Sequence, residues 1–245
     1  MLQTHRHPSD STPFVITLDG PTASGKGAVA QVLAAHLGFA YLDSGALYRL
    51  VALIALRSGW QVSRVLSAAD EAYLVAWAAN LDVSFVGEDI FLKEENVAQD
   101  IRDEEVGNMA SKIAVCACLR TALLDRQRAF AQGKGLVADG RDMGSVVFPE
   151  APLKVFLTAS AAVRAERRYK QLIAKGFSAN MDNLVNDLND RDARDMAREH
   201  APLKPAQGAY ILDSSDLTLE QTVDVVLKLY AEQVNVPAVS WTSVG

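Results

Sequence analysis

The sequence predicts an α/β fold: a parallel sheet of five strands covered by helices on both faces, with a small antiparallel sheet inserted. Three observations carry this expectation. Five short apolar runs alternate with stretches of helical periodicity, the pattern of a parallel sheet buried on both sides. The first run, Phe14–Leu18, leads into the glycine-rich turn Gly20-Pro21-Thr22-Ala23-Ser24-Gly25-Lys26-Gly27. Val29, Val32, Leu33 and Leu37 follow at helical spacing. Between Leu81 and Val97 the period changes to short alternating runs separated by a turn.

Taken in order, residues 1–12 read as a disordered polar tail, and His5 and His7 within it as tail residues and not as metal ligands. A single domain then runs over about 13–235. After the first strand, turn and helix (to about His36), Phe39–Leu42 reads as a second strand. It runs into Asp43-Ser44-Gly45, a turn and helix-capping signal, and the helix Ala46–Arg57 follows. A further helix spans Ala68–Asn80. Leu81–Phe85, a turn at Gly87-Glu88-Asp89, Ile90–Leu92 and Asn96-Val97 form the antiparallel patch, read as part of an inserted subdomain over about 60–105. Met109–Arg128 reads as one helix. Leu136–Asp139 and Leu153–Leu157 are the third and fourth core strands. The helical stretches Ala161–Ala174 and Phe177–Arg198 flank Gly176. Ala209–Asp213 is the fifth strand, Leu219–Gln233 an amphipathic closing helix, and 236–245 a tail.

Strand, glycine-rich turn and helix together make a phosphate-binding loop of the form G-x-x-x-x-G-K. The glycines let successive backbone N–H groups converge on an anion. The helix N-terminus adds partial positive charge and Lys26 a full one. A glycine-rich turn used only for tight packing would not call for a lysine inside it. Gly27 and Ala28 stand where a magnesium-touching hydroxyl residue is usual. A metal must then rest on phosphate oxygens, water and residues elsewhere.

The chain has 245 residues, 49% hydrophobic and 22% charged, with a net charge of −6. No global basic field exists for a nucleic-acid polymer or an anionic membrane, so phosphate must be gripped by local arginines. No apolar run approaches the ~18 residues of a membrane span. The polar start lacks the apolar core of a signal peptide, which points to the cytoplasm. Cys116 and Cys118 are the two cysteines. On one helix they would face apart, so small buried side chains are the better reading than a disulfide or a zinc site.

In parallel sheets, ligands bind beyond the carboxyl ends of the strands. Several strands here are followed by residues with chemistry: the phosphate loop, then Asp43 to Arg49, then Asp139-Gly140-Arg141-Asp142, then Asp213-Ser214-Ser215. Asp139 suits magnesium assistance and helix capping equally. Arg49 and Arg141 are candidate anchors for a second phosphate, because a guanidinium fork meets two oxygens at once. Arg164, Arg167 and Arg168 share one helix face. They read as a solvated basic face, or as a lid closing over a transferring phosphoryl group. Arg191, Arg194, Asp195 and Arg198 share another stripe, where a salt-bridge ladder is the alternative.

These motifs resemble the bacterial cytidylate kinases, a nucleoside monophosphate kinase family, from about Val15 to Tyr230. The marks are GPTASGKG, LDSGALYR, Gly107 to Ser111, Arg120 followed by LLDRQRAF, ADGRDMGSVVFP, RAERR, RDARDMAR, PLKPA and LDSS. The resemblance implies a P-loop kinase core, a nucleoside-monophosphate-binding subdomain carrying the extra β-insert, and a helical lid over about 161–180. It implies ATP with Mg2+ as donor and CMP or dCMP as acceptor; a monomer is the separate expectation. Ser44, Ser111, Arg120, Asp142, Arg191, Asp195 and Arg198 match the family's pyrimidine-nucleotide contacts, with Arg191 and Asp195 at the ribose. Arg49 and Arg141 match residues around the acceptor phosphate. The family often has Thr where this chain has Ala28.

Overall fold

A computed structural model describes residues 13–61, 66–86, 89–174, 178 and 180–234. The tails expected over 1–12 and 236–245, His5, His7, and Gly87, Glu88, Gly176 and Phe177 lie outside the described residues.

The main sheet holds β1 (Phe14–Asp19), β2 (Ala40–Asp43), β6 (Gly135–Gly140), β7 (Leu153–Thr158) and β8 (Tyr210–Asp213). They run in the order β2-β6-β1-β7-β8, and every pairing is parallel. The second sheet is antiparallel: β3 (Val83–Val86), β4 (Asp89–Leu92) and β5 (Glu95–Asn96). The helices are α1 (Lys26–Leu37), α2 (Ser44–Arg57), α3 (Ala68–Ala79), α4 (Glu104–Ile113), α5 (Ala117–Arg128), α6 (Ala161–Ala174), α7 (Met181–Met196) and α8 (Leu219–Val234).

Period-two alternation divides the sheet's side chains between two cores. Val15, Leu42, Leu136 and Ala138 face α2 to α5. Ile16, Leu18, Val137, Val155 and Leu157 face α1 and α8. A third, smaller cluster ties α6 to α7 through Ala165, Leu184 and Leu188. The parallel register sets the strand ends side by side: Leu18 pairs with Asp139, Asp19 with Gly140, and Asp43 with Asp139. The motif residues thus emerge on one rim.

The structure corrects the sequence reading at three places. The single helix expected over Met109–Arg128 is two helices broken at 114–116, and the first begins five residues earlier, at Glu104. No glycine or proline marks the break. Cys116 takes an extended conformation there (φ −69°, ψ 114°), and its Sγ accepts the Leu119 N–H at 3.4 Å as the α5 cap. The break also overturns the expectation for the cysteines: Cys116 and Cys118 do not face apart but form a disulfide. Finally, a single wide helical turn over Met143–Val147 follows β6, where no element was expected.

Candidate active site

The turn between β1 and α1 is shaped by two glycines. A Cβ at Gly20 would stand 2.0 Å from the Leu157 carbonyl oxygen, so β1 and β7 leave no room for one. Gly25 caps α1 at φ 92°, in the left-handed region that glycine enters freely. Lys26 follows, 9% exposed, with Nζ donating to the Pro21 carbonyl at 3.1 Å. Burial, and then Arg141, hold its ammonium well below the ordinary lysine range. An anion beside it would reverse both effects. Ser24 Oγ is buried without a hydrogen-bond partner among the described residues, a polar group waiting for one.

Asp139, one residue before the end of β6, accepts from the Tyr41 hydroxyl at 3.3 Å. Burial, and then the neighbouring Asp43 carboxylate, push its carboxyl up. Two neighbouring carboxylates suit a cation. A Cβ at Gly27 would stand 3.0 Å from Asp139 Oδ2. Glycine after the lysine therefore keeps an acid's oxygen clear, where other phosphate loops place a hydroxyl.

A cleft of about 730 Å³ opens from this loop across the rim. That lies inside the range usual for nucleotide-sized ligands, ~300–1,000 Å³. Thr22, Ala23, Gly25, Lys26, Gly27 and Ala28 line one end, whereas Gly20, Pro21 and Ser24 do not line it. Ser44, Arg49, Ser111, Arg120, Asp139, Arg141, Asp142, Arg168, Arg191, Asp195 and Arg198, all singled out from sequence, also reach the cleft.

Six of the arginines that line the cleft, Arg49, Arg120, Arg141, Arg168, Arg191 and Arg198, rest on acids. Arg49 Nη2 meets Asp43 Oδ2 at 2.7 Å, and Asp43 Oδ1 also caps α2 through the Ala46 N–H. Arg120 pairs with Asp142, donates to the Ala114 carbonyl at 3.0 Å and lies 5.5 Å over the Tyr48 ring. Arg141 bridges Asp195 (2.9 Å) and Thr22 Oγ1 (2.7 Å), joining the third strand's turn to the phosphate loop. Arg198 pairs with Asp195 from the other side. Burial works to raise the Asp195 carboxyl, but Arg141 and Arg198 prevail and hold it below its ordinary range. Ser44 Oγ accepts from Gln127 Nε2 at 2.9 Å, while Ser111 Oγ is buried without a partner among the described residues.

The basic face of α6 divides. Arg168 reaches the cleft and shares Glu104 with Arg191. Arg164 and Arg167 do not line it. Arg164 is 6% exposed, pairs with Asp192 at 2.6 Å and donates to the Thr22 carbonyl. Arg167 donates to the Ser24 and Ser214 carbonyls. Both buttress the phosphate loop from behind. Asp192 belongs to this buttress, not to a ladder along α7, and accepts the Thr22 N–H at 3.4 Å as well. Arg194 is spent on its own helix, donating to the Asp190 carbonyl.

Several residues of this site were not singled out from sequence. Glu104 joins Arg168 to Arg191, and Gln127, 2% exposed, holds Ser44. Asp19 accepts the Met143 and Gly144 N–H groups, both at 2.8 Å. The signal for Asp19 was present: an acid at the end of a mostly apolar strand, much as at Asp139.

The geometry is two cationic pockets on one rim, Lys26 with the loop N–H groups at one end and a ring of guanidiniums at the other. The cytidylate kinase family profile matches residues 16–232. The chain is 57% identical to the cytidylate kinase of Bordetella pertussis over 216 residues, 88% of this chain and 94% of that one. It is 56% identical to the cytidylate kinase of Ralstonia nicotianae over 224 residues, 91% of this chain and 95% of that one. For that of Burkholderia cenocepacia the figures are 57% over 223 residues, again 91% and 95%. With the profile spanning almost all of the described sheet and helices, this chain belongs to the cytidylate kinase family.

Proposed function

We propose that this chain transfers the γ-phosphoryl group of ATP to the 5′-phosphate of CMP or dCMP, giving ADP and the corresponding diphosphate. The observation that carries this reading is the shared cleft: Lys26, Arg49 and Arg141 line one cavity on one rim. A donor held at the loop and an acceptor held at the arginines would face each other across it.

The acceptor is already an anion, so no general base is needed, and catalysis is positioning and charge compensation. An acceptor phosphate oxygen attacks the γ-phosphorus, the bond to the β,γ-bridging oxygen breaks, and ADP leaves. The loop N–H groups and Lys26 hold the β- and γ-phosphates. Arg49 and Arg141 take the acceptor phosphate, each exchanging part of its hold on Asp43 or Asp195 for a dianion. Arg168, at the mouth of the cleft on the proposed lid over about 161–180, adds charge and excludes water. Asp139 and Asp43 have the carboxylates to hold Mg2+, directly or through water. When bound, that ion would neutralise charge developing on the phosphate oxygens.

At the base, Arg120 and Asp142 form a fixed donor–acceptor pair. Cytosine offers acceptors at N3 and O2 and a donor at N4, so Arg120 donates and Asp142 accepts. Uracil presents an acceptor at position 4, and a carboxylate would face it unpaired. Such a mismatch costs ~1–3 kcal/mol, about 5- to 150-fold. The acceptor-binding part, expected over about 60–105, draws in α4 and the start of α5 through Glu104, Ser111 and Arg120 on this reading.

The test is ADP release with CMP, dCMP, UMP and AMP offered separately. Turnover with CMP or dCMP well above UMP and AMP supports the proposal. Equal rates with all four, or ATP hydrolysis indifferent to acceptor, would overturn it.

A further inference from the structure

The Cys116–Cys118 pair lies outside the chemistry above yet touches one of its arginines. The break between α4 and α5 gives the two residues a Cα–Cα separation of 5.5 Å and joins their sulfurs. Both ends of Arg120 are tied to the same three-residue break. Its backbone N–H donates to the Cys116 carbonyl at 3.2 Å, and its Nη1 donates to the Ala114 carbonyl at 3.0 Å. Cys116 is buried, while Cys118 is half-buried, its Sγ 3.9 Å from the Glu71 carbonyl oxygen at an exposed edge.

We propose that Cys116 and Cys118 form a thiol–disulfide exchange site for small-molecule disulfides, and that its state sets how firmly Arg120 is presented to the acceptor nucleotide. The second half rests on the acceptor reading given above; the first does not. The Cys118 thiolate, the accessible one, attacks a sulfur of the small disulfide, forms a mixed disulfide and releases one small thiol. The Cys116 thiolate then attacks Cys118 Sγ, closes the ring and expels the second small thiol. Two electrons pass from the protein to the small disulfide, and the two cysteine protons end on the two released thiols. Cys116 is suited to the second step. Its Sγ already accepts the Leu119 N–H at the start of a twelve-residue helix, so negative charge there meets a donor and the helix's positive end.

Closing the ring has a mechanical consequence. Reduction removes the covalent tie between two residues at the start of α5 and lets their sulfurs separate. Cys116 is packed in the core, so the freedom gained falls on the break that carries the Ala114 and Cys116 carbonyls. The disulfide holds Arg120 ready, and reduction loosens it.

The test uses the full chain equilibrated in buffers of varying reduced-to-oxidised glutathione ratio. Alkylation followed by intact mass counts free thiols, and hydrogen exchange is followed over residues 114–120. The expected result is a single transition in which two thiols are lost together. Exchange at 114–120 slows, and KM for the acceptor falls roughly three- to tenfold with KM for ATP unchanged. Cys116→Ser should accumulate the glutathione mixed disulfide on Cys118; Cys118→Ser should not accumulate one on Cys116. Two thiols still alkylatable in the most oxidising buffer overturn the exchange site. Ring closure with unchanged exchange at 114–120, or with unchanged acceptor KM in an active enzyme, overturns the link to Arg120. If no acceptor is phosphorylated at all, it is the functional reading that fails, and the exchange site is judged on mass and exchange alone.

Discussion

Asp19 is the residue whose replacement separates stability from function most cleanly. Its carboxylate is 4% exposed, at the end of β1, and accepts the N–H groups of Met143 and Gly144. Those two residues follow Arg141 and Asp142 directly, so Asp19 pins the turn that carries them. Burial pushes its carboxyl from 3.8 up to about 6, which at ~1.4 kcal/mol per unit is roughly 3 kcal/mol against the ionised form. A folded-state pKa above the unfolded value means that the folded protein holds this proton more tightly. The contribution is therefore favourable below about 4 and is lost as pH rises through about 6.

Asp19→Asn keeps the shape, removes the charge and turns one acceptor into a donor facing an N–H. The lost charge-assisted bond costs ~1.5–3 kcal/mol, which offsets most of the burial penalty relieved above pH 6. Global stability at pH 7.5 should stay within ~1.5 kcal/mol of wild type. Relative to wild type, the variant should gain about 2 kcal/mol between pH 4.5 and pH 7.5, read by urea unfolding at each pH. Activity should not be spared. With its anchor halved, the Arg141–Asp142 turn is misplaced, and kcat/KM for the acceptor should fall at least about tenfold. Parallel stability-against-pH curves for the two proteins refute the buried-charge argument. Normal acceptor kinetics in a folded variant refute the positioning argument.

Other outcomes follow from the same geometry. Lys26→Met should lower kcat by about a hundredfold or more without lowering Tm, because it deletes a buried charge; near-normal turnover contradicts its role. Asp142→Ala strands a buried guanidinium and should cost ~3–5 kcal/mol in unfolding, whereas Arg120→Met with Asp142→Leu should recover most of that stability and no CMP discrimination. If the CMP-to-UMP ratio of kcat/KM survives Asp142→Ala, the base assignment is wrong. Near pH 8, Mg2+-free ATP should bind with net proton uptake, since phosphate raises a Lys26 ammonium now held low. Calorimetry in buffers of different ionisation heat should then give different apparent enthalpies, and identical values contradict it. Gly27→Ser should press on Asp139 and raise the magnesium requirement, measured as the Mg2+ concentration at half-maximal rate.

Much of this was legible in the sequence because it is written in local patterns. The five core strands are short apolar runs, and the phosphate loop must contain glycine where Leu157 or a positive φ forbids a side chain. The break at 114–116 was not legible, because nothing in Ile113-Ala-Val-Cys116 opposes a helix. What stops it is a sulfur accepting the Leu119 N–H and the packing of α4 and α5 into different parts of one core. The fates of Arg164, Arg167 and Arg168 were equally hidden. Three arginines on one helix face look alike in sequence. Only the rotation of α6 against the loop decides that two clasp backbone carbonyls and one reaches the cleft.

The pairing of arginines with acids explains how an acidic chain can build an anion site. Guanidiniums converging on one cleft would repel each other strongly without counter-charges. Each of Arg49, Arg120, Arg141, Arg191 and Arg198 has an acid within reach, on Asp43, Asp142, Asp195 or Glu104. These acids keep the empty cleft foldable and hold the arginines in place before a nucleotide arrives. They also set the strength of binding, because a phosphate gains only the difference between its own pull and theirs. An enzyme that must release its product benefits from that difference being small. Asp43→Asn should therefore tighten acceptor binding through Arg49 while slowing turnover. A lower acceptor KM with a lower kcat would bear this out, and a higher KM with unchanged kcat would show that Asp43 serves only to orient the arginine.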